Sequence, residues 1–168
     1  MTELAPVPTL INRMADDLRE LLAAREIQNP AVIGIHSGGA WVARELHSRL
    51  DLQTPLGTLD IAFYRDDVGT RGVHPQVRPS NLPFAVDDRD ILLVDDVLYS
   101  GRTVRAALNE IFDFGRPRRV LLAVLVDRGE RELPVAADVV GARITLAEGQ
   151  RVKLRGPDPM ELTIQDVA

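Results

Sequence analysis

Cysteine is absent from all 168 residues. That excludes a disulfide framework, a zinc thiolate centre and a thiol nucleophile, and it is compatible with a reducing compartment. Aromatic residues make up only 4% of the chain, too few for a base-stacking platform, so Trp41 is read as core or subunit packing. No apolar run approaches the length of a bilayer span, and Met1 to Pro8 lacks a charged start followed by an apolar stretch. The expected location is the cytoplasm, away from membranes. Positive charge does not dominate: 20 Lys and Arg stand against 25 Asp and Glu, a formal charge of -5. This excludes a protein whose whole body is an electrostatic sleeve for nucleic acid and leaves room for a local basic patch. No repeat or low-complexity tract occurs. Without a Gly-Lys-Ser/Thr run or a Gly-x-Gly-x-x-Gly after a strand, Walker and dinucleotide loops are excluded as well.

What is present is 45% hydrophobic residues, enough for one sizeable core and one domain over residues 1–168. From Thr9, Leu10, Ile11, Met14, Leu18, Leu21 and Leu22 recur at helical spacing, up to a stop at Asn29-Pro30. Ala31 to Ile35 reads as a strand buried on both faces. His36-Ser37-Gly38-Gly39 turns into a helix carrying Val42, Ala43, Leu46 and Leu50. Thr58 to Tyr64 alternates like a strand. Residues 65–83 are rich in Gly and Pro and poor in large apolar residues, which predicts a flexible lid hairpin. Ile91 to Val94 and Val120 to Val126 read as further buried strands, separated by a helix with Val104, Ala107, Leu108, Ile111 and Phe112 on one face. In the tail only short strands at Val139-Val140 and Arg151 to Leu154 are expected. This alternation predicts an α/β fold with an open, mainly parallel twisted sheet, helices on both faces and sites beyond the strands' carboxyl ends. His47 and His74 read as surface residues.

The chemistry concentrates in Ile91-Leu92-Leu93-Val94-Asp95-Asp96-Val97-Leu98-Tyr99-Ser100-Gly101-Arg102-Thr103. Two carboxylates close a buried strand, and a small-residue turn opens a helix. A helix N-terminus offers unpaired amides and a positive dipole end to a phosphate, with Ser100 and Thr103 adding hydroxyls. Gly101 permits close backbone approach. Asp95 and Asp96 accept hydrogen bonds from vicinal hydroxyls and suit a magnesium ion held indirectly, through ribose or water. Phosphate at one end and a diol at the other describe a ribose 5-phosphate. An Asp-Asp pair alone is also a common turn and helix cap, so the assignment rests on the full run.

That run resembles the 5-phosphoribosyl-1-pyrophosphate (PRPP) signature of type I phosphoribosyltransferases. With Phe114-Gly115-Arg116-Pro117, Leu122 to Gly129, Arg131-Glu132-Leu133-Pro134 and Asp60-Ile61 ahead of Tyr64-Arg65-Asp66-Asp67, the chain resembles the PyrR family of pyrimidine operon attenuators and uracil phosphoribosyltransferases. The resemblance implies a glycosyltransferase that converts uracil and PRPP to UMP and pyrophosphate with Mg2+. It implies that Asp95 and Asp96 meet the ribose, that Tyr99 to Thr103 (Tyr99, Ser100, Gly101, Arg102, Thr103) clasp the 5-phosphate, and that Val97 and Leu98 belong to the same substrate-binding run. Arg65 and the loop bearing Ser37, Gly38 and Gly39 would meet pyrophosphate, and Asp127, Arg128 and Gly129 the base. Without the motif, Arg65 would read as a solvated charge and Asp127 as a turn cap. A homo-oligomer, dimer or tetramer, is implied too.

Two departures stand out. Gly38 takes a position where a basic residue is expected, removing a cation from the leaving group unless His36 or Arg65 replaces it. Glu130 and Ala136 likewise replace expected positive charge on a surface the family uses for leader RNA. These losses argue against tight RNA binding, although Arg116, Arg118, Arg119, Arg131, Arg143 and Arg151 could assemble a patch. The competing expectations are a UMP- or PRPP-sensing RNA-binding attenuator with little catalysis, and a phosphoribosyltransferase for another base.

Overall fold

The computed structural model describes residues 3–61 and 80–167. Helix α1, Val7–Ala24, turns Val7, Leu10, Ile11, Met14, Ala15, Leu18 and Leu22 inward, the spacing that lays one helical face on a core. Pro8 is tolerated in its first turn because the amides there have no helical acceptor. The helix stops before Asn29-Pro30. Glu26 takes a left-handed φ of 56°, its amide bonds Ala23 O at 3.1 Å, and that of Ile27 bonds Leu22 O at 2.8 Å. This Schellman closure satisfies the last carbonyls, and buried Ile27 anchors it.

Strand β1 (Ala31–Ile35), helix α2 (Gly38–Arg49), β2 (Gly57–Leu59), β3 (Asp90–Leu98), α3 (Arg102–Phe114), β4 (Arg119–Asp127) and β5 (Val139–Arg143) follow. The five strands form one sheet in the order β2-β1-β3-β4-β5, every pairing parallel. Alternate side chains feed opposite faces, as the pleat requires. Leu92, Val94, Leu121, Ala123 and Leu125 join α1 and α2 in one cluster. Ile91, Leu93, Leu122 and Val124 join Val104, Ala107 and Ile111 of α3 in the other. Each fully buried leucine or isoleucine in these layers contributes about 1.5–3 kcal/mol. The predicted α/β architecture with helices on both faces is therefore the one observed.

Strand β3 continues four residues past Val94, because the long neighbour β4 keeps pairing with it: Asp95 lies opposite Val124, and Leu98 opposite Asp127. The acidic pair thus sits on a strand rather than in the loop expected after it. Helix α2 begins earlier than its apolar pattern indicated, taking Gly38 and Gly39 into its first turn. The tail is more ordered than expected: β6 (Gln150–Arg155) and β7 (Glu161–Asp166), the latter not anticipated, form an antiparallel hairpin. Its buried Val152 and Leu154 join the α1/α2 cluster, with Trp41 packed against it. Gly156 lies against the indole, so Trp41 is core packing. His47 is half-buried, its Nε2 2.7 Å from Thr54 O, not a surface histidine.

Residues 62–64 of the predicted strand, most of the predicted lid 65–83, Arg65 and His74 lie outside the described residues. Of the remainder, Asn81 bridges Thr58 antiparallel. No helix among the described residues is long and apolar enough to cross a membrane.

Candidate active site

Asp95 is 5% exposed and Asp96 half-buried at the carboxyl end of the central strand. The amide of Asp96 donates to Asp95 Oδ1 at 2.9 Å, and the amide of Val97 donates to Asp96 Oδ1 at 2.8 Å. These short-range bonds fix both carboxylates. The start of α2 can pack on this strand end only because Gly38 and Gly39 lack side chains. A Cβ on Gly39 would lie 2.7 Å from Val94 O, and one on Gly38 would strike the Asp96 carboxylate. The missing cation at position 38 therefore has a steric counterpart: in this arrangement there is no room for any side chain.

Helix α3 starts opposite. Gly101 caps it at φ 96°, a left-handed conformation that glycine adopts without strain, with Leu133 and Val135 closing the space where a Cβ would stand. Ser100 Oγ accepts from the Arg102 amide at 3.2 Å. The carbonyls before the cap are turned onto residues 128–133. Leu98 O accepts from Arg128 N at 3.1 Å, and Ser100 O from Glu132 N at 2.9 Å and Leu133 N at 3.0 Å. Tyr99 O accepts from Arg131 Nη1 at 3.0 Å.

Asp95, Asp96, Val97, Tyr99, Ser100, Arg102 and Thr103 line one cleft of about 460 Å³ with His36 and Ser37. Among the sequence-predicted residues, Leu98 and Gly101 lie beneath it, buried, and Gly38 and Gly39 support it from behind. Glu132 also lines it and holds Arg102 Nε at 2.7 Å. It was missed as a site residue because the Arg-Glu-Leu-Pro run carried only a family signal. Arg102, expected at the phosphate, is thus already met by a carboxylate.

Asp127, Arg128 and Gly129 do not line this cleft; they form a turn beside it. Asp127 Oδ1 accepts from Gly129 N at 2.9 Å, and Oδ2 from Arg131 Nη2 at 2.7 Å. The Arg131 hydrogen bond outweighs burial and holds the Asp127 carboxyl below its ordinary value. Arg128 reaches the cleft through Tyr99: its guanidinium lies 3.9 Å from the ring centroid, with Glu130 2.7 Å from Nη2.

Among the described residues no group of three or more acids or histidines could hold a metal. Two adjacent carboxylates, both lining the cleft, do fit magnesium, which takes one or two carboxylates and completes its shell with substrate oxygens and water.

Residues 2–152 match the phosphoribosyl transferase domain family. The chain is 57% identical over 161 residues to the bifunctional protein PyrR of Nitrosococcus oceani, covering 95% of this chain and 91% of that one. To the PyrR of Pseudomonas aeruginosa PAO1 it is 58% identical over 153 residues, 91% and 90% of the two chains. Among solved structures, a hypoxanthine-guanine phosphoribosyltransferase from Bacillus anthracis shares the fold with a TM-score of 0.68 at 17% identity, over 86% of this chain and 84% of that one. A purine phosphoribosyltransferase from Pyrococcus horikoshii superposes with a TM-score of 0.60 at 25% identity, over 80% and 83%. The strand-end acids, the glycine-capped helix and these likenesses agree: the chain belongs to the phosphoribosyltransferases and, among them, to the PyrR family.

Proposed function

We propose that this chain transfers the phosphoribosyl group of PRPP to uracil, giving UMP and pyrophosphate. The observation that carries the reading is the single cleft in which Asp95 and Asp96 face the N-terminus of α3, a diol acceptor at one end and an anion site at the other. In the reaction the ribose C1–O bond to pyrophosphate breaks, and a uracil ring nitrogen bonds to C1 and loses its proton. Positive charge builds on the ribose and negative charge on the leaving group. Asp95 and Asp96 orient the ribose hydroxyls and oppose the developing positive charge; the amides and hydroxyls of Ser100 to Thr103 hold the 5-phosphate. Asp95 and Asp96 would hold magnesium indirectly, through ribose or water, and the charge it supplies there would help to offset that of pyrophosphate. In this reading His36 and Ser37 serve the leaving group, and the Asp127 to Gly129 turn serves the base. A steady-state assay of PRPP and Mg2+ with uracil, hypoxanthine and guanine tests the assignment. Uracil should have the highest kcat/KM, and turnover of purines alone would overturn it. Thr103→Val, which keeps shape and deletes a hydroxyl, should raise the KM for PRPP.

The regulatory half of the family name is read differently. Selective leader-RNA binding is weak or absent in this proposal, because Glu130 and Ala136 stand where positive charge is expected and three of the six arginines that could form a patch already face carboxylates. Arg118 is 3.5 Å from Asp88, Arg119 2.7 Å from Asp90 and Arg131 2.7 Å from Asp127. Titration with a pyrimidine-operon leader hairpin at about 0.15 M salt, with and without UMP, should give no selective binding tighter than about 10⁻⁶ M. Assembly as a homo-oligomer belongs to the same reading, and light scattering checks it.

A further inference from the structure

Arg102 is the one guanidinium among the described residues lining the cleft, and three carboxylates, Asp95, Asp96 and Glu132, line it too. An anion entering the cradle at the start of α3 therefore meets an arginine that already holds a carboxylate: Glu132 Oε2 stands 2.7 Å from Arg102 Nε. The backbone keeps Glu132 in place. Its amide and that of Leu133 both donate to Ser100 O, at 2.9 and 3.0 Å, so the side chain starts from a point tied to the phosphate loop itself. The pair is nonetheless loosely held, with the two side chains 47% and 52% exposed. Arg131 shows what a fixed arginine looks like in the same region: its partner Asp127 is 14% exposed, and its guanidinium also serves the carbonyls of Tyr99, Gly129 and Val135. An exposed ion pair contributes little because water competes for both partners and both lose side-chain freedom. A phosphate at a helix N-terminus adds backbone amides and the hydroxyls of Ser100 and Thr103 to its charge. Phosphate therefore wins the arginine, but takes it from a carboxylate that stays beside it.

We infer that Glu132 competes with the 5-phosphate for Arg102 and so sets how tightly the cleft holds every ligand that carries that phosphate. The inference rests on the transferase reading above. PRPP and UMP share the 5-phosphate, so a cradle that grips the substrate there grips the product equally, and uniform binding of this kind does not speed turnover. Returning Arg102 to Glu132 as UMP departs offsets part of the interaction lost, which speeds release and raises the KM for PRPP. A positioning role for Glu132 predicts the opposite sign, because removing it would then disorder Arg102 and weaken phosphate binding. The half-exposed pair, unlike that of Arg131 with Asp127, favours exchange over positioning.

The test compares the full chain with its Glu132→Gln variant, which keeps the shape and an acceptor for Arg102 and removes the charge. Calorimetric titration should show UMP bound about fivefold more tightly by the variant, the scale of one exposed ion pair. Uridine, which lacks the phosphate, should bind no more tightly to the variant than to the wild type. In steady state the KM for PRPP should fall and UMP should become a stronger product inhibitor, with kcat unchanged or lower, a split that damage to the fold would not produce. In an Arg102→Gln background, titrated to millimolar UMP, Glu132→Gln should improve binding by no more than about twofold, because no arginine is left to contest. Weaker UMP binding by Glu132→Gln would make Glu132 a positioning residue and overturn the inference, as would unchanged binding. Equal tightening with and without Arg102 would also overturn it, since Glu132 would then repel the phosphate directly. A wild type that neither binds UMP nor turns over uracil would instead overturn the transferase reading, and the inference with it.

Discussion

Asp127 and Glu110 are both carboxylates withdrawn from bulk water, and their surroundings drive them in opposite directions. Asp127 ends β4 with a guanidinium on one oxygen and an amide on the other, and its carboxyl titrates below the ordinary value, first because of Arg131. Glu110, on α3, is 8% exposed. It accepts from the Ser80 hydroxyl on one oxygen, and its other oxygen has no hydrogen-bond partner among the described residues. Burial pushes its carboxyl up; the Ser80 bond pulls the other way, and the charges of Asp60 and Asp113 add to the rise. The supply of donors, more than burial itself, decides which carboxylate stays charged. At the carboxyl edge of the sheet, donors meet every acid described above: an amide each for Asp95 and Asp96, Arg102 for Glu132 and Arg131 for Asp127. Glu110 has a single hydroxyl donor and no cationic partner, so burial prevails and its carboxyl titrates above the ordinary value.

The largest expected effect tests the working side of this contrast. Asp95→Asn and Asp96→Asn should each lower kcat/KM for PRPP about tenfold or more, since a hydrogen bond to a charged group contributes about 1.5–3 kcal/mol, while circular dichroism shows the fold retained. Wild-type kinetics in both variants would remove the acids from the site. Gly38→Ala should follow, with a several-fold loss of turnover, because its Cβ would displace the Asp96 carboxylate. On the same ground Gly38→Arg, which restores the expected cation, should fail to raise turnover; a gain in pyrophosphate inhibition and rate would show that α2 can shift to admit a side chain.

Legibility in the sequence followed the physical strength of each signal. Buried parallel strands are continuous apolar runs, so β1, β3 and β4 were readable, as were the helices whose apolar faces repeat. The acids near the end of β3 and the glycine that caps α3 were readable because their residue types, in that order, match a family signature. Boundaries were less so: Asp95 looked like loop because a charged residue seldom continues a buried strand, and only the pairing with β4 keeps it there. Strand β7 was missed although Glu161 to Gln165 alternates polar with apolar, because the run is short and only Leu162 and Ile164 carry the pattern. Glu132 and the ion pair from Arg131 to Asp127 depend on contacts between residues brought together by the β4–β5 connection, which local pattern does not encode.

The two smaller effects concern stability and separate the two kinds of carboxylate. Asp127 has a lowered folded value, so its contribution is present above the unfolded carboxylate range near about 3.9 and is lost as pH falls through the folded value. Asp127→Asn should therefore cost about 1–3 kcal/mol near neutral pH, by weakening a charged hydrogen bond, with the gap from wild type closing in acid. For Glu110 the sign reverses. Its folded value is raised, so between the unfolded and folded values the native state binds more protons and stability falls as pH rises. Glu110→Gln keeps an acceptor for Ser80, supplies an amide donor and has no proton to lose, so it should remove that fall. Urea unfolding from about pH 5 to about pH 8, above the ordinary glutamate value, should show wild type losing stability against the glutamine variant as pH increases, with transferase activity equal in the two. Parallel stability curves would mean that Glu110 is ionised in the native state and that an unrecognised donor serves its second oxygen.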